Sequence, residues 1–313
     1  MEQRAKLSTV AVLNDAKIVK AGVVANKMAN DKKANDKKGS GLMSMRLIGA
    51  VIMAVLALPV QAQELERPET IGAHPNFNGI WQALNSANWN LEAHSAEALD
   101  EFWKLGAIAA IPAGKSVISS IGSSVVSSGK IPYLPAALEQ RNQNRANWPA
   151  ADPEAKCYML GIPRATYHDM PFQIFQSDTD DVLMVYPFAA ANRVIHMSNH
   201  MEAPIDSWMG RSNGTWEGDE LVVVTTGQNE MTWLDRAGNH HSNQLKVTER
   251  FKLLGPNHIW YVATLEDPQT YSEAWTIEMP LYRLIEEDAQ LLEHKCVPFA
   301  DKLLYSDLMG LEE

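Results

Sequence analysis

From Phe172 onward the chain repeats a short unit in which apolar and polar residues alternate, each closed by a cluster of Gly, Pro, Asn or Asp. A period of two puts successive side chains on opposite faces of an extended strand. The pattern predicts strands over 172–176, 182–186, 193–198, 214–217, 221–226, 245–253, 259–266, 275–282 and 291–297. Glu217-Gly-Asp219 and Gly255-Pro-Asn257 are among several links short enough for hairpins. With a further strand over 79–84, the expected fold class is mainly β, with eight to ten strands in mostly antiparallel order. A closed or nearly closed meander barrel satisfies that pattern, with a two-sheet sandwich as the alternative. A barrel of about eight strands can hold one small ligand.

Before Phe172 the periodicity changes. Leu99, Phe102 and Trp103 give 93–105 a helical spacing, and Pro135 opens a second helix over 135–148. The stretch 107–131 mixes Ile and Val with Ser and three glycines and keeps no period. It reads as a mobile lid or as an irregular loop. Residues 63–75 are polar and extended, and 152–171 is a loop punctuated by prolines.

An apolar run from Leu47 to Val60 follows Arg46 and upstream lysines, and ends in Val60-Gln61-Ala62. A basic stretch, a 14-residue apolar core and small residues at its end describe a secretory signal peptide over 43–62. The run falls short of the roughly 20 residues of a membrane span. An uncleaved N-terminal anchor is the rival reading. Residues 1–42, with the tandem repeat Ala29-Asn-Asp-Lys-Lys33 and Ala34-Asn-Asp-Lys-Lys38, read as a disordered basic extension or as a start assigned too early. The expected organisation is then a single domain over 63–313, with N-terminal helical segments around a β-barrel.

Composition adds an exclusion. Of 313 residues, 46% are hydrophobic, enough for a packed core, and the net charge is −11. That charge is uneven. Residues 1–62 carry ten basic and four acidic side chains, which leaves 17 basic and 34 acidic ones, a net of −17, on the remainder. Nucleic-acid binding, which needs clustered Lys and Arg, is not expected. Nor is an integral span in the mature chain. A periplasmic or secreted location is, and it makes one disulfide between Cys157 and Cys296 the natural pairing, against two buried free thiols.

Alternation also places candidate chemistry. Glu249 shares a strand face with Leu245, Val247, Phe251 and Leu253. A carboxylate there must be paired, protonated or turned to a polar cavity. One outcome is an ion pair to an inward arginine, Arg193 or Arg283. The other is a general acid or base of raised pKa. His196 falls on the strand face opposite Arg193. His241 follows a turn-rich segment containing Asp235, which could orient it. For each histidine an ordinary core or surface role stands beside the functional one. No zinc, phosphate-loop, dinucleotide or nucleophile-elbow motif is present in the sequence.

A set of longer segments adds to this: Pro153-Glu-Ala-Lys-Cys157, Gly161-Ile-Pro-Arg164, Pro171-Phe-Gln-Ile174, Trp216-Glu-Gly-Asp219 with Leu221-Val-Val-Val224, Trp233-Leu-Asp-Arg-Ala-Gly238, His241-Ser242, Val247-Thr-Glu-Arg250 and the run from Trp275 to Tyr305. Over nearly all of residues 70–310 they resemble a family of exported bacterial proteins bearing a Trp-Glu-Gly-Asp-x-Leu-Val-Val motif. The resemblance implies a signal peptide and a lipocalin-like β-rich body, and no established activity. Gly79-Ile-Trp81 is similar to the G-x-W opening of lipocalins.

The preferred expectation is a barrel that binds a small, partly apolar molecule. Arg193, Trp216, Tyr186 and Arg283 are its candidate contacts. The second is a cofactor-free isomerase, lyase or hydrolase in the same cavity, with Glu249 or His196 moving a proton and Asp235 orienting His241. The third is a structural or complex subunit without a ligand.

Overall fold

The computed structural model describes residues 68–98, 110–119, 129–179 and 181–298. The chain divides into two units, Met1–Glu66 and Arg67–Glu313, and every described residue belongs to the second. The expected signal peptide and residues 99–105 of the expected first helix lie outside the described residues, as do 107–109 and 120–128 of the aperiodic stretch.

In chain order the elements are β1 (Thr70–Ile71), β2 (His74–Pro75), β3 (Gly79–Ala83), β4 (Glu97–Ala98), β5 (Ala110–Ile111), α1 (Pro135–Ala146) and α2 (Arg164–Tyr167). Then come β6 (Phe172–Phe175), β7 (Val182–Tyr186), β8 (Ala191–His196), β9 (Arg211–Glu217) and β10 (Glu220–Thr226). The last three are β11 (Lys246–Gly255), β12 (His258–Glu266) and β13 (Trp275–Arg283). β3 and β6 to β13 close into a nine-stranded barrel in sequence order, with β13 returning to β3. The meander read from the alternation is therefore the fold.

A ring of nine strands cannot reverse direction at every neighbour, so one pair must be parallel. That pair is β8–β9, joined in register only at Ile195↔Ser212 and His196↔Asn213. A parallel link needs a crossover of a dozen or more residues, and segment 197–210 supplies it. The antiparallel pairs use tight turns instead. Glu217 faces Glu220 across the two-residue turn Gly218-Asp219, where Gly218 has φ +62°. A left-handed first turn position is what glycine accommodates in this hairpin class.

The alternation sorts side chains as expected. Ile259, Tyr261, Ala263 and Leu265 of β12 and Trp275, Ile277, Met279 and Leu281 of β13 are all buried. Trp81, Phe172, Met184, Ile195, Leu221 and Phe251 join them in one contiguous core. Burying each such side chain contributes about 1.5–3 kcal/mol relative to exposure. The inner face is thus filled by side chains. One barrel end carries short turns, and the other carries the long connections 84–171, 227–245 and 267–274. α1 lies among these loops. His240 Nε2 pairs with the Ala137 carbonyl at 2.9 Å, and Asn144 Nδ2 donates to the Gly238 carbonyl at 3.1 Å.

Two expected elements differ. Residues 93–98 are extended, not helical. His94 bridges Gly114 and β4 pairs with β5. Gly114 permits this approach, since a Cβ there would lie 2.4 Å from His94 Cε1. Residues 291–297 form no strand. They meet no partner strand, and Leu292 and Val297 stay exposed. The segment is held by the Cys157–Cys296 disulfide (Cα–Cα 5.7 Å) and by His294 stacked on Phe188 at 5.7 Å. The Cα separation lies within the range a bridge requires. Among the described residues no helix is long and apolar enough to cross a membrane.

Candidate functional site

Inside the barrel, a row of polar side chains crosses the apolar core. Arg193 of β8 donates to Ser212 Oγ of β9 and Thr225 Oγ1 of β10, each at 2.7 Å, and to Glu249 of β11. Ser212 and Thr225 are direct cross-strand partners with hydroxyls 2.9 Å apart. Tyr261 of β12 donates its hydroxyl to Glu249 Oε1 at 2.8 Å. Burial alone would disfavour the guanidinium charge, but the adjacent Glu249 carboxylate keeps Arg193 more basic than usual. Burial, reinforced by the Glu249 charge, pushes the Tyr261 hydroxyl well above its ordinary value. Glu249 therefore takes the ion-pair outcome, with Arg193 rather than Arg283.

The remaining sequence candidates do not gather around this pair. His196 lies on the outer face of β8, its Nδ1 2.8 Å from Asp181 Oδ2. It is separated from Glu249 by the barrel wall, so the two do not act together. The expected pairing of Asp235 with His241 does not form. Asp235 is fully buried and accepts from the Leu91, Ala237 and Asn239 amides and from Asn239 Nδ2. It ties the loops together, and burial pushes its carboxyl pKa up. His241 is 2.6 Å from Thr232 Oγ1 and 2.8 Å from the Ser242 carbonyl, and burial pushes its pKa down. Arg283 is at the turn end, bonded to Asn257 Oδ1 at 2.7 and 2.9 Å. Trp216 stacks on His74 of β2 at 4.3 Å and packs on Phe77. Tyr186 alone stays with the interior pair: it is buried and electrostatically coupled to Arg193.

A second charged cluster sits in the loop layer, and the sequence reading missed it. Buried Arg164 of α2 reaches Asp152 at 3.2 Å, Asn88 at 2.9 Å and Glu154. Glu154 also accepts from Arg236 Nε at 2.9 Å and meets His168 Nε2 at 3.1 Å. Burial opposes the Glu154 charge, yet Arg164 and Arg236 hold its carboxyl well below the usual range. Arg236 in turn lies 4.2 Å from the Trp89 ring centre. Every charge here has a partner, which makes the cluster a clamp between loops. Among the described residues no group of His, Cys, Asp and Glu is arranged to hold a metal ion.

The parallel seam is different. Because β8 pairs with β9 only at its last two residues, its first half makes no backbone ladder on that side. The crossover 197–210 continues past the end of β8 along β9 and returns beside the first half of β8, where Ala203 to Met209 face Asn192 and Val194. His200 Nε2 contacts the Gly214 carbonyl at 2.9 Å, and Asn213 Nδ2 donates to the Met201 carbonyl at 2.9 Å. Gly210, with φ +63°, lets the crossover enter β9 closely: a Cβ there would lie 2.6 Å from the Thr226 carbonyl. Between crossover and strand is a pocket of about 270 Å³. Asn192, Val194 and His196 form its β8 side, and Ala203 to Met209 the other. Arg211 lines its end, with Nε buried and without a hydrogen-bond partner. Arg193 also borders it and reaches from there into the interior row.

A larger, open cleft of about 610 Å³ lies between Gln82–Ser86 and Pro112–Val117. Several of its polar groups are already engaged. Asp169 pairs with Arg236 at 3.3 Å, Ser116 bonds the Leu91 carbonyl at 3.3 Å, and Asn85 accepts from the Ala87 amide at 2.9 Å. The seam pocket, with an unpartnered donor, is the stronger candidate. No family model, no curated protein and no solved structure matches this chain.

Proposed function

We propose that the protein is an exported, lipocalin-like barrel of the Trp-Glu-Gly-Asp motif family that binds a small, partly apolar molecule. The binding place in this reading is the seam pocket rather than the filled interior. The observation that carries it is the juxtaposition, in one recess, of apolar walls with Arg211, whose buried Nε lacks a partner. Apolar walls with a few oriented polar groups are the composition of small-molecule sites. The Cys157–Cys296 bridge supports the exported location.

A ligand that binds only the folded state raises its melting temperature with concentration. Screening small apolar and amphipathic compounds by thermal unfolding, on the wild type and on Val194→Trp, tests the reading. Val194 projects from the outer face of β8 and is 41% exposed, so an indole there fills the recess without entering the core. A shift in the wild type that Val194→Trp abolishes supports the site. A shift that survives in Val194→Trp places binding elsewhere.

The reading as a subunit without ligand is favoured by one fact, the packing of Trp81, Phe172, Phe251 and Trp275 in the barrel core. Co-isolation of a stoichiometric protein partner, with no thermal shift by any compound, would support it.

A further inference from the structure

We infer that the seam pocket selects a monoanion with a short apolar tail, such as a carboxylate, with Arg211 holding the head group. The inference rests on the reading of this pocket as a ligand site and specifies its chemistry.

Buried polar groups in native proteins have partners, and one without a protein partner marks a place for a water, an ion or a ligand. Arg211 Nε is such a donor, and it belongs to a guanidinium that stays charged. The nearby carboxylate does not satisfy it. Asp181 is within electrostatic reach of Arg211, but its oxygens are engaged by His196 Nδ1 at 2.8 Å and the Met197 amide at 2.9 Å. Asp206, on the crossover, bonds Asn243 Nδ2 at 3.2 Å.

The walls define the rest of the ligand. Val194, Ala203, Pro204, Ile205 and Met209 offer apolar surface on both sides of the recess. An inorganic anion would leave that surface wet, and a neutral hydrocarbon would bring no partner to the Arg211 guanidinium that lines the end of the recess. A carboxylate with a short chain satisfies both. The recess, about 270 Å³ and open to solvent on one side, matches a small tail.

Isothermal titration of the full-length protein with octanoate, octanamide and inorganic phosphate tests the inference. Octanoate and octanamide share a tail and differ in head-group charge. The expected result is that octanoate binds at least about ten-fold more tightly than octanamide, the gain of a charge-assisted hydrogen bond. Arg211→Gln should erase that preference, weakening octanoate far more than octanamide. Arg211→Lys, which keeps the charge without the guanidinium fork, should retain a reduced preference and keeps the test open if the glutamine variant unfolds. Equal affinity for octanoate and octanamide would overturn the anion selectivity while leaving the pocket a ligand site. Phosphate binding as tightly as octanoate would overturn the apolar tail. Binding of none of the three would overturn this inference, and the thermal screen with Val194→Trp would then decide separately whether the pocket binds anything.

Discussion

Arg193 and Glu249 meet inside the barrel from strands separated by two others, and the strands between them contribute Ser212 and Thr225 to the same row. Both side chains are almost wholly buried. Such a pair adds little net stability over an apolar packing of equal volume, but breaking it leaves one charge stranded. Glu249→Gln should therefore destabilise the fold by about 3–5 kcal/mol, and Arg193→Met by a similar amount. The double variant Arg193→Met/Glu249→Leu should cost much less than the sum of the singles. Denaturant midpoints of the three variants check this. Additive losses would mean the two residues do not depend on each other.

Tyr261→Phe provides a separate measure of the same row. It removes the hydroxyl bonded to Glu249 at 2.8 Å and leaves the ring in place. A hydrogen bond to a charged group contributes about 1.5–3 kcal/mol, and a loss in that range is expected in chemical unfolding. A loss below about 0.5 kcal/mol would mean the ion pair needs no third partner.

The disulfide closes a sequence separation of 139 residues and pins the C-terminal segment to the loop layer. Chain entropy sets an upper contribution of about 5 kcal/mol for a loop this long. Cys157→Ser should lower the melting temperature and make residues 284–298 the first site of proteolysis. Cys157 has φ +62°, a conformation glycine adopts without strain. Cys157→Gly should therefore destabilise less than Cys157→Ser, and thermal scans of the pair decide it. The opposite order would mean that the backbone at 157 carries no strain.

Stability should fall in acid in two stages. Burial lowers the His241 pKa in the folded state below its ordinary value of about 6.5. The unfolded chain then binds the additional proton, so the associated stability is present above that value and lost as pH drops below it. Glu154, held low by Arg164 and Arg236 despite its burial, acts the same way nearer pH 4. Its contribution is present above the unfolded value of about 4.3 and lost as pH falls further. Urea midpoints between pH 7.5 and 3.5 read both stages. His241→Gln should flatten the upper one alone, and an unchanged upper stage in that variant would assign it to another group.

How much of this was legible follows from the physics of each element. Period-two alternation is local, so β7, β8, β11, β12 and β13 could be read within a residue or two, as could the inward face shared by Val247, Glu249 and Phe251. The partner of Glu249 could be narrowed to Arg193 or Arg283, and only ring closure chooses between them, because Arg283 ends its strand beside Asn257. The seam was not legible. Its parallel pair follows from an odd strand count, which one misread strand at 291–297 was enough to obscure. Arg211 gave no signal, since an outward residue at the start of a strand looks like any solvated arginine. The Asp152–Glu154–Arg164–Arg236 clamp was missed because its members are up to 84 residues apart in irregular loops. The pairing of Asp235 with His241 failed for a local reason: the Leu91 and Asn239 groups claim the carboxylate first.

In the function proposed above, the seam between β8 and β9 holds a small molecule. Native mass spectrometry of the protein isolated from its producing cell, beside Val194→Trp prepared the same way, tests it most directly. The expected result is a non-covalent adduct of a few hundred daltons on the wild type, absent from the variant. A wild type free of any adduct that also takes up no added amphiphile, or an adduct retained by Val194→Trp, would contradict it.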